Sequence, residues 1–210
     1  EPNNPIRIYT DGVFDMYHYG HSRLFEKVKK LFPNVYLIVG VCKDEDIKRE
    51  KASPVMNDDQ RKESVRHCKW VDEVITGPWF YSIDFLDSIN AHYVAHDPEP
   101  YPYNGIEDIF RLFKKNNRFI ATTRTEGIST TDLIAKILEN YDEYVERSIK
   151  KNIPIEKLRL PTTKYLRIKT NKLLETGLKL IQSFAKEVFD EDQSKVGCKN
   201  FLDYCEKLNS

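Results

Sequence analysis

The chain is 210 residues long, 40% hydrophobic, 31% charged and 12% aromatic, with 33 basic and 33 acidic side chains. That length and mix allow one ordinary domain with a tail and a sizeable core, and they exclude a disordered or collagenous chain. No apolar run approaches the ~20 residues of a membrane span, and no secretory leader pattern opens the chain. Cys42, Cys68, Cys198 and Cys205 include no C-x-x-C pair, which points to neither a zinc site nor a disulfide framework and makes a reducing cytoplasm the expected setting. Glu1 is not an initiating residue, so a piece of a longer protein is expected.

Taken in chain order, Ile6 to Thr10 reads as a strand, and Gly20 to Phe32 carries Leu24, Phe25, Val28, Leu31 and Phe32 at helical spacing, with Pro33 as the stop. Val35 to Cys42 is almost wholly apolar, as a strand is when helices cover both faces of a parallel sheet. A helix over about Asn57 to His67 opens on the acidic pair Asp58 and Asp59, which suits a helix N-terminus. Next come a strand at Val71 to Ile75, a helix at Ser82 to Ile89, a strand at Tyr93 to His96, a helix at Ile106 to Lys115 and a strand at Phe119 to Thr122. One helix is expected from Thr130 to Lys150. This alternation predicts an α/β fold, a Rossmann-like parallel sheet flanked by helices, with ligands beyond the carboxyl ends of the strands.

Beyond Lys151 the pattern changes. Residues 1–151 are expected to form the α/β domain, 152–164 a linker punctuated by Pro154 and Pro161, and 165–210 a helical C-terminal extension. The zero net charge hides an asymmetry, because residues 147–189 hold 11 basic and 3 acidic side chains. Leu174, Leu178, Ile181, Ala185 and Val188 form one stripe on a helix over Tyr165 to Phe189, beside Lys172, Lys179 and Lys186. A basic, striped helix serves an anionic membrane surface or packs on a protein partner, and the shortness of the stripe favours packing.

Two stretches carry chemistry. The first βα junction holds His18-Tyr19-Gly20-His21, with no G-x-G-x-x-G fingerprint, which counts against an NAD-dependent oxidoreductase. Two histidines three apart share one side of a helix's first turn, and Gly20 leaves backbone N–H groups open to a phosphate. Imidazolium or neutral N–H donors there can stabilise charge developing in phosphoryl or nucleotidyl transfer; the plainer alternative is a pair of helix caps. The second stretch, Arg124-Thr125-Glu126-Gly127-Ile128-Ser129-Thr130, places an arginine, a loop glycine and hydroxyl groups before an amphipathic helix, a ready anion site in which one hydroxyl is expected to act as the N-cap.

Together these stretches resemble the HxGH and RTEGIST signatures of the cytidylyltransferases within the nucleotidyltransferase superfamily. The resemblance covers Pro5 to Lys151 and is strongest to the choline-phosphate cytidylyltransferases. It implies the reaction CTP + phosphocholine → CDP-choline + pyrophosphate in phosphatidylcholine synthesis by the Kennedy pathway, by in-line attack on the α-phosphate. On this resemblance the catalytic residues are His18, His21, Lys51 and Arg124. CTP is taken by Gly12, Phe14, Gly20, His21, Arg124, Thr125, Gly127, Ile128, Ser129 and Thr130, and phosphocholine by Asp11, Lys51, Trp79, His96, Asp97, Tyr101 and Phe110. Ala52, Pro98 and Phe110 stand where the family usually has a glycine, a second acid and a tyrosine.

A quaternary ammonium donates no hydrogen bond, so aromatic faces and a carboxylate suit it. Mg²⁺ is expected to travel with CTP. The resemblance further implies a homodimer through the first strand, with no nucleic-acid partner, and a cytoplasmic protein whose basic helix can associate reversibly with membrane. The nearest rival is ethanolamine-phosphate cytidylyltransferase, which His18 to Ser22 resemble locally, although those enzymes lack Trp79 and the His96-Asp97 pair. A non-catalytic nucleotide-sensing or membrane-surface module is the rival of another class. The presence of His18, His21, Lys51 and Arg124 counts against it.

Overall fold

The apolar run Val35–Cys42 forms strand β2 in a parallel sheet, as seen in a computed structural model that describes residues 4–158 and 160–190. The other strands are β1 (Ile6–Gly12), β3 (Glu73–Gly77), β4 (Tyr93–His96) and β5 (Phe119–Ala121), in the order β3-β2-β1-β4-β5. Every pairing is parallel, with Ile8 opposite Leu37 and Tyr93. The order reverses between β1 and β4, and the carboxyl ends of these two strands therefore diverge around a crevice. β1 is the central strand, held on both edges.

Alternating side chains divide the core between the two faces of the sheet. Ile8, Leu37, Val39 and Val41 pack on one face with Phe25 and Val28 of helix α1 (Tyr19–Lys29) and Val65 of helix α3 (Asp58–Arg66). Tyr9, Ile38 and Val94 pack on the other with Leu86 of helix α4 (Ile83–Ser88) and Phe113 of helix α5 (Arg111–Lys115). Tyr9 is fully buried, and its hydroxyl lies over Gly40 and Gly77, where any Cβ would overlap it.

Four expected elements come out differently. The first helix ends at Lys29, before Pro33 is reached. The expected strand at Val71 to Ile75 is displaced to Glu73–Gly77, and Val71 packs against the core from the preceding turn. Helix α5 starts only at Arg111, because Tyr103 and Ile106 bridge across Asn104 and Gly105, both at positive φ. The expected helix at Thr130 to Lys150 is two, α6 (Thr130–Glu139) and α7 (Tyr141–Lys150). The break falls at Asn140, whose side-chain amide donates to the Lys136 carbonyl at 2.9 Å. Helix α2 (Asp44–Glu50) is an addition, with acidic residues in its first turn and Ile47 as its buried residue.

One compact unit runs to Ala135 and a second begins at Lys136. In the second, α7 contributes the buried Val145, a short helix α8 (Ile155–Leu158) follows within the stretch read as linker, and α9 (Thr162–Asp190) packs on α7. The expected stripe is not a uniform face: Ala185 is buried and Leu178 half-buried, while Leu174 and Ile181 are exposed. Leu166, Leu173, Leu180 and Phe184 are exposed as well. Residues 191–210, including Cys198, Cys205 and the end of the expected extension, lie outside the described residues. Among the described residues no helix is long and apolar enough to cross a membrane.

Arg61 ties the loops above the sheet together. It is fully buried and donates to the carbonyls of Val13 (2.7 Å), Cys42 (2.8 Å) and Met56 (3.1 Å), with Asp44 as its carboxylate partner at 2.5 Å. Arg61→Ala leaves three carbonyls and one acid without their donor, and removing one partner of a buried pair costs about 3–5 kcal/mol. Equilibrium urea unfolding is expected to show a loss of that size, and a loss under about 1 kcal/mol would contradict this role for Arg61.

Candidate active site

A cleft of about 440 Å³ opens at the β1–β4 crevice, lined from below by Thr10, Asp11 and His96, from one side by His18, Gly20 and His21, and from the other by Thr123 to Thr125 and Gly127 to Thr130. Thr10 closes its floor by donating to the Ala95 carbonyl at 2.8 Å, which ties β1 to β4.

The two histidines form the capping box of α1. His18 is the N-cap of α1: its Nδ1 accepts from the Gly20 N–H at 3.2 Å, and the His21 Nδ1 accepts from the His18 N–H at 3.3 Å. A neutral imidazole whose Nδ1 accepts carries its proton on Nε2, so the capping box assigns the same tautomer to both rings. The rings stack 3.8 Å apart at 20°. The His18 Nε2 is buried without a protein partner. Burial lowers the pKa of His18, and burial together with the neighbouring His18 lowers that of His21 to about 4, against a smaller upward pull from Asp15. At neutral pH both rings are therefore uncharged N–H donors. A Cβ on Gly20 would come within 2.9 Å of the His18 ring and of Ile128, so only glycine fits between the two loops.

Facing them, Ser129 is the N-cap of α6, accepting from the Asp132 N–H at 3.0 Å. The Thr130 hydroxyl donates to the Asp15 carbonyl at 2.9 Å and joins the two signature loops. The Thr125 hydroxyl is buried at the cleft without a partner. Arg124 holds its guanidinium at the mouth, its side chain 87% exposed, with Nε donating to Asp97 at 2.7 Å. Neutral donors inside and a guanidinium at the rim form a receptor for a polyanion.

A second cavity, of about 80 Å³, adjoins the first through Asp11 and His96. Gly12, Val13, Cys42, Lys51, Trp79, Tyr101, Ile109 and Phe110 complete it, so residues far apart in the sequence meet there. The Lys51 ammonium sits 5.4 Å over the Trp79 ring, within cation–π range. Asp11 accepts from the Tyr81 hydroxyl at 2.6 Å. Burial raises the pKa of Asp11, against the His96 charge, the Tyr81 hydrogen bond, its own N–H and the Lys51 charge.

Of the residues expected for nucleotide, Gly20, His21, Arg124, Thr125, Gly127, Ile128, Ser129 and Thr130 line the larger cleft. Gly12 faces the smaller cavity instead, and Phe14 stands behind, 95% buried with its ring against the edge of His21. Of those expected for the amino alcohol, Asp97 lines the larger cleft and the rest meet in the smaller one.

Sequence reasoning missed Tyr81, whose only signal was its place two residues after Trp79 in an aromatic loop. It also missed Asp15, whose carboxylate accepts from the N–H groups of Met16, Val55 and Met56 and shapes the loop after Lys51. Among the described residues, no three His, Cys, Asp or Glu side chains come together to hold a metal ion.

Residues 9–136 match the family model described as Cytidylyltransferase-like. The chain belongs to that family. Among named relatives of this cytidylyltransferase-like chain, the probable choline-phosphate cytidylyltransferase of Schizosaccharomyces pombe is 49% identical over 150 residues, which cover 71% of this chain and 41% of that protein. Choline-phosphate cytidylyltransferase 2 of Arabidopsis thaliana is 45% identical over 159 residues, 74% of this chain and 52% of that one. The ethanolamine-phosphate cytidylyltransferase of Dictyostelium discoideum is less similar, 39% identical over 135 residues, covering 64% and 37%. The chain spans about half the length, or less, of the curated relatives it matches.

The depressed pKa of His21 gives a direct check. The unfolded chain takes up this proton near the ordinary 6.5 and the folded protein near 4, so the stability tied to the neutral ring is complete above 6.5 and is lost as pH falls towards 4. An NMR titration of the ring protons is expected to place the His21 midpoint near 4. A midpoint near 6.5 would contradict the burial and stacking described.

Proposed function

We propose that this chain carries a choline-phosphate cytidylyltransferase site. The observation that carries the reading is the meeting, at one sheet switch point, of two uncharged histidine donors with an aromatic pocket that already accepts a cation. The greater identity to relatives named for choline than to those named for ethanolamine supports the same choice.

The chemistry needs no general base. A phosphomonoester loses its second proton at about pH 6, so the phosphate oxygen of phosphocholine is already a nucleophile. It attacks the α-phosphorus of CTP in line. The new O–P bond forms as the bond to the bridging oxygen breaks, and pyrophosphate leaves with that electron pair. Negative charge grows on the oxygens of the α-phosphate, where the Nε2–H groups of His18 and His21 meet it in a preorganised orientation. Being uncharged, the two stacked rings do not repel each other while they do so. Arg124, from its position at the rim, grips the leaving phosphates, and Lys51 neutralises both phosphate groups as they approach. Trp79, Tyr101 and Phe110 present π faces to the trimethylammonium, and Asp11 supplies the counter-charge. Mg²⁺ enters on the triphosphate as part of the substrate.

Purified His18→Ala and His21→Ala are each expected to lose on the order of 10²–10³ in turnover with CTP and phosphocholine. Trp79→Ala is expected to raise the KM for phosphocholine about tenfold and to leave the KM for CTP within about twofold, from a lost cation–π face. Near wild-type turnover by a histidine variant would reject the reading. Equal loss of both substrates in Trp79→Ala would make Trp79 a core residue.

The same reading carries a homodimer and a membrane-facing α9. The resemblance to the family supports the first. The exposed Leu166, Leu173, Leu180 and Phe184 beside Lys169, Lys179 and Lys186 support the second, on the cytoplasmic face of an anionic membrane. Sedimentation is expected to give a dimer at micromolar concentration. Flotation is expected to show binding to anionic vesicles that salt reverses. A monomer, or equal binding to neutral vesicles, would overturn the respective proposal.

A further inference from the structure

Tyr81 has no part in the chemistry above, yet its hydroxyl is 2.6 Å from Oδ1 of Asp11, the one carboxylate shared by the cleft and the smaller cavity. The ring is clamped. It meets Tyr9 edge-on at 5.1 Å, Phe85 and Phe113 at 5.6 Å and Phe110 at 6.3 Å. These contacts hold the ring with its hydroxyl on the carboxylate. The phenol also keeps its proton, because burial and the nearby Asp11 charge push its pKa well up, so it acts only as a donor towards the carboxylate.

The consequence is for the kind of cation the pocket accepts. With the Tyr81 hydroxyl and the residue's own N–H taking two of its about four lone-pair sites, the Asp11 carboxylate keeps its charge but has fewer acceptor sites left for a ligand's N–H groups. A primary ammonium has three N–H groups to satisfy, and leaving them unpaired in a desolvated pocket is costly. A fully alkylated ammonium has none and needs only nearby charge and π faces. We propose that Tyr81 is a positioning residue that fixes Asp11 and thereby makes the pocket selective for a quaternary over a primary ammonium. This rests on the cytidylyltransferase reading and says which feature of the site selects the amino alcohol.

The other charged or titratable groups around Asp11 are His96 on β4, Lys51 after α2, Tyr9 on β1, Cys42 on β2 and Tyr101 after β4. Burial pushes the Cys42 thiol up to about 12, so it stays neutral. The Tyr81 hydrogen bond favours the charged form of Asp11. Its loss moves the Asp11 titration to higher pH.

The test compares the full chain with its Tyr81→Phe variant, which keeps the ring and removes only the hydroxyl. Each is assayed with CTP and either phosphocholine or phosphoethanolamine across a pH series. The ratio of kcat/KM values for the two amino alcohols, taken within one preparation, does not depend on how much of it is folded. In Tyr81→Phe that ratio is expected to fall about tenfold, the scale of one hydrogen bond to a charged group. The KM for phosphocholine is expected to rise while that for CTP stays put, and the acid limb of the phosphocholine profile to move to higher pH. An unchanged ratio, an unmoved acid limb or a parallel rise of both KM values overturns the proposal while the cytidylyltransferase reading stands. A wild-type chain that turns over neither amino alcohol overturns both.

Discussion

The site depends on a charge that has been removed from water. Arg61 is buried among carbonyls that end β1, β2 and the turn before α3, and each would otherwise need its own donor. A guanidinium supplies five donors in a fixed plane, so one side chain can hold three loops in register where a lysine, with a point charge, could not. Asp15 does the reverse job close by, gathering N–H groups from Val55 and Met56 while its own carbonyl takes the Thr130 hydroxyl. Between them, the cation and the anion determine where Lys51 and the two signature loops stand. A buried charge is costly in itself; its benefit here is the specification of a loop arrangement that apolar packing could not define.

The histidine pair shows how a local structural need and a chemical one can be met by the same atoms. A helix start leaves N–H groups without partners, and the two Nδ1 atoms accept two of them. That acceptance leaves the proton of each neutral ring on Nε2. Capping and anion stabilisation were alternatives when only the residue types were in view; the structure has the capping at Nδ1 of each ring and leaves the His18 Nε2 buried without a protein partner.

The parts of the molecule that could be read from sequence are those governed by burial pattern or by residue type at short range. β2 was legible because both of its faces are covered, and α3 because Asn57 caps it and acids open it. α2 was not, since a seven-residue helix with Ile47 as its buried residue has almost no periodicity to detect. Arg61 stands in a run of charged residues with no local signal to single it out, and only the tertiary fold turns it inwards. The Tyr81–Asp11 bond joins residues 70 apart. No local pattern encodes such a distance. At the break, Asn140 donates to the Lys136 carbonyl from both its backbone and its side-chain amide, a local arrangement that hydrophobic spacing does not register.

The placement of Tyr9 over two glycines bears on how the strands find their alignment. Sliding β2 by one residue along β1 would turn its core side chains to the wrong face, and burial alone forbids it. Sliding by two keeps every side chain on its proper face, so the hydrophobic effect barely distinguishes the slipped sheet from the native one. Steric exclusion does distinguish them. A two-residue slip of β2 would carry Ile38 or Cys42 to the place of Gly40, under a hydroxyl that leaves no room even for a methyl group, and a slip of β3 would do the same with Ile75 at the place of Gly77. Tyr9, Gly40 and Gly77 thus act as a tooth and two notches.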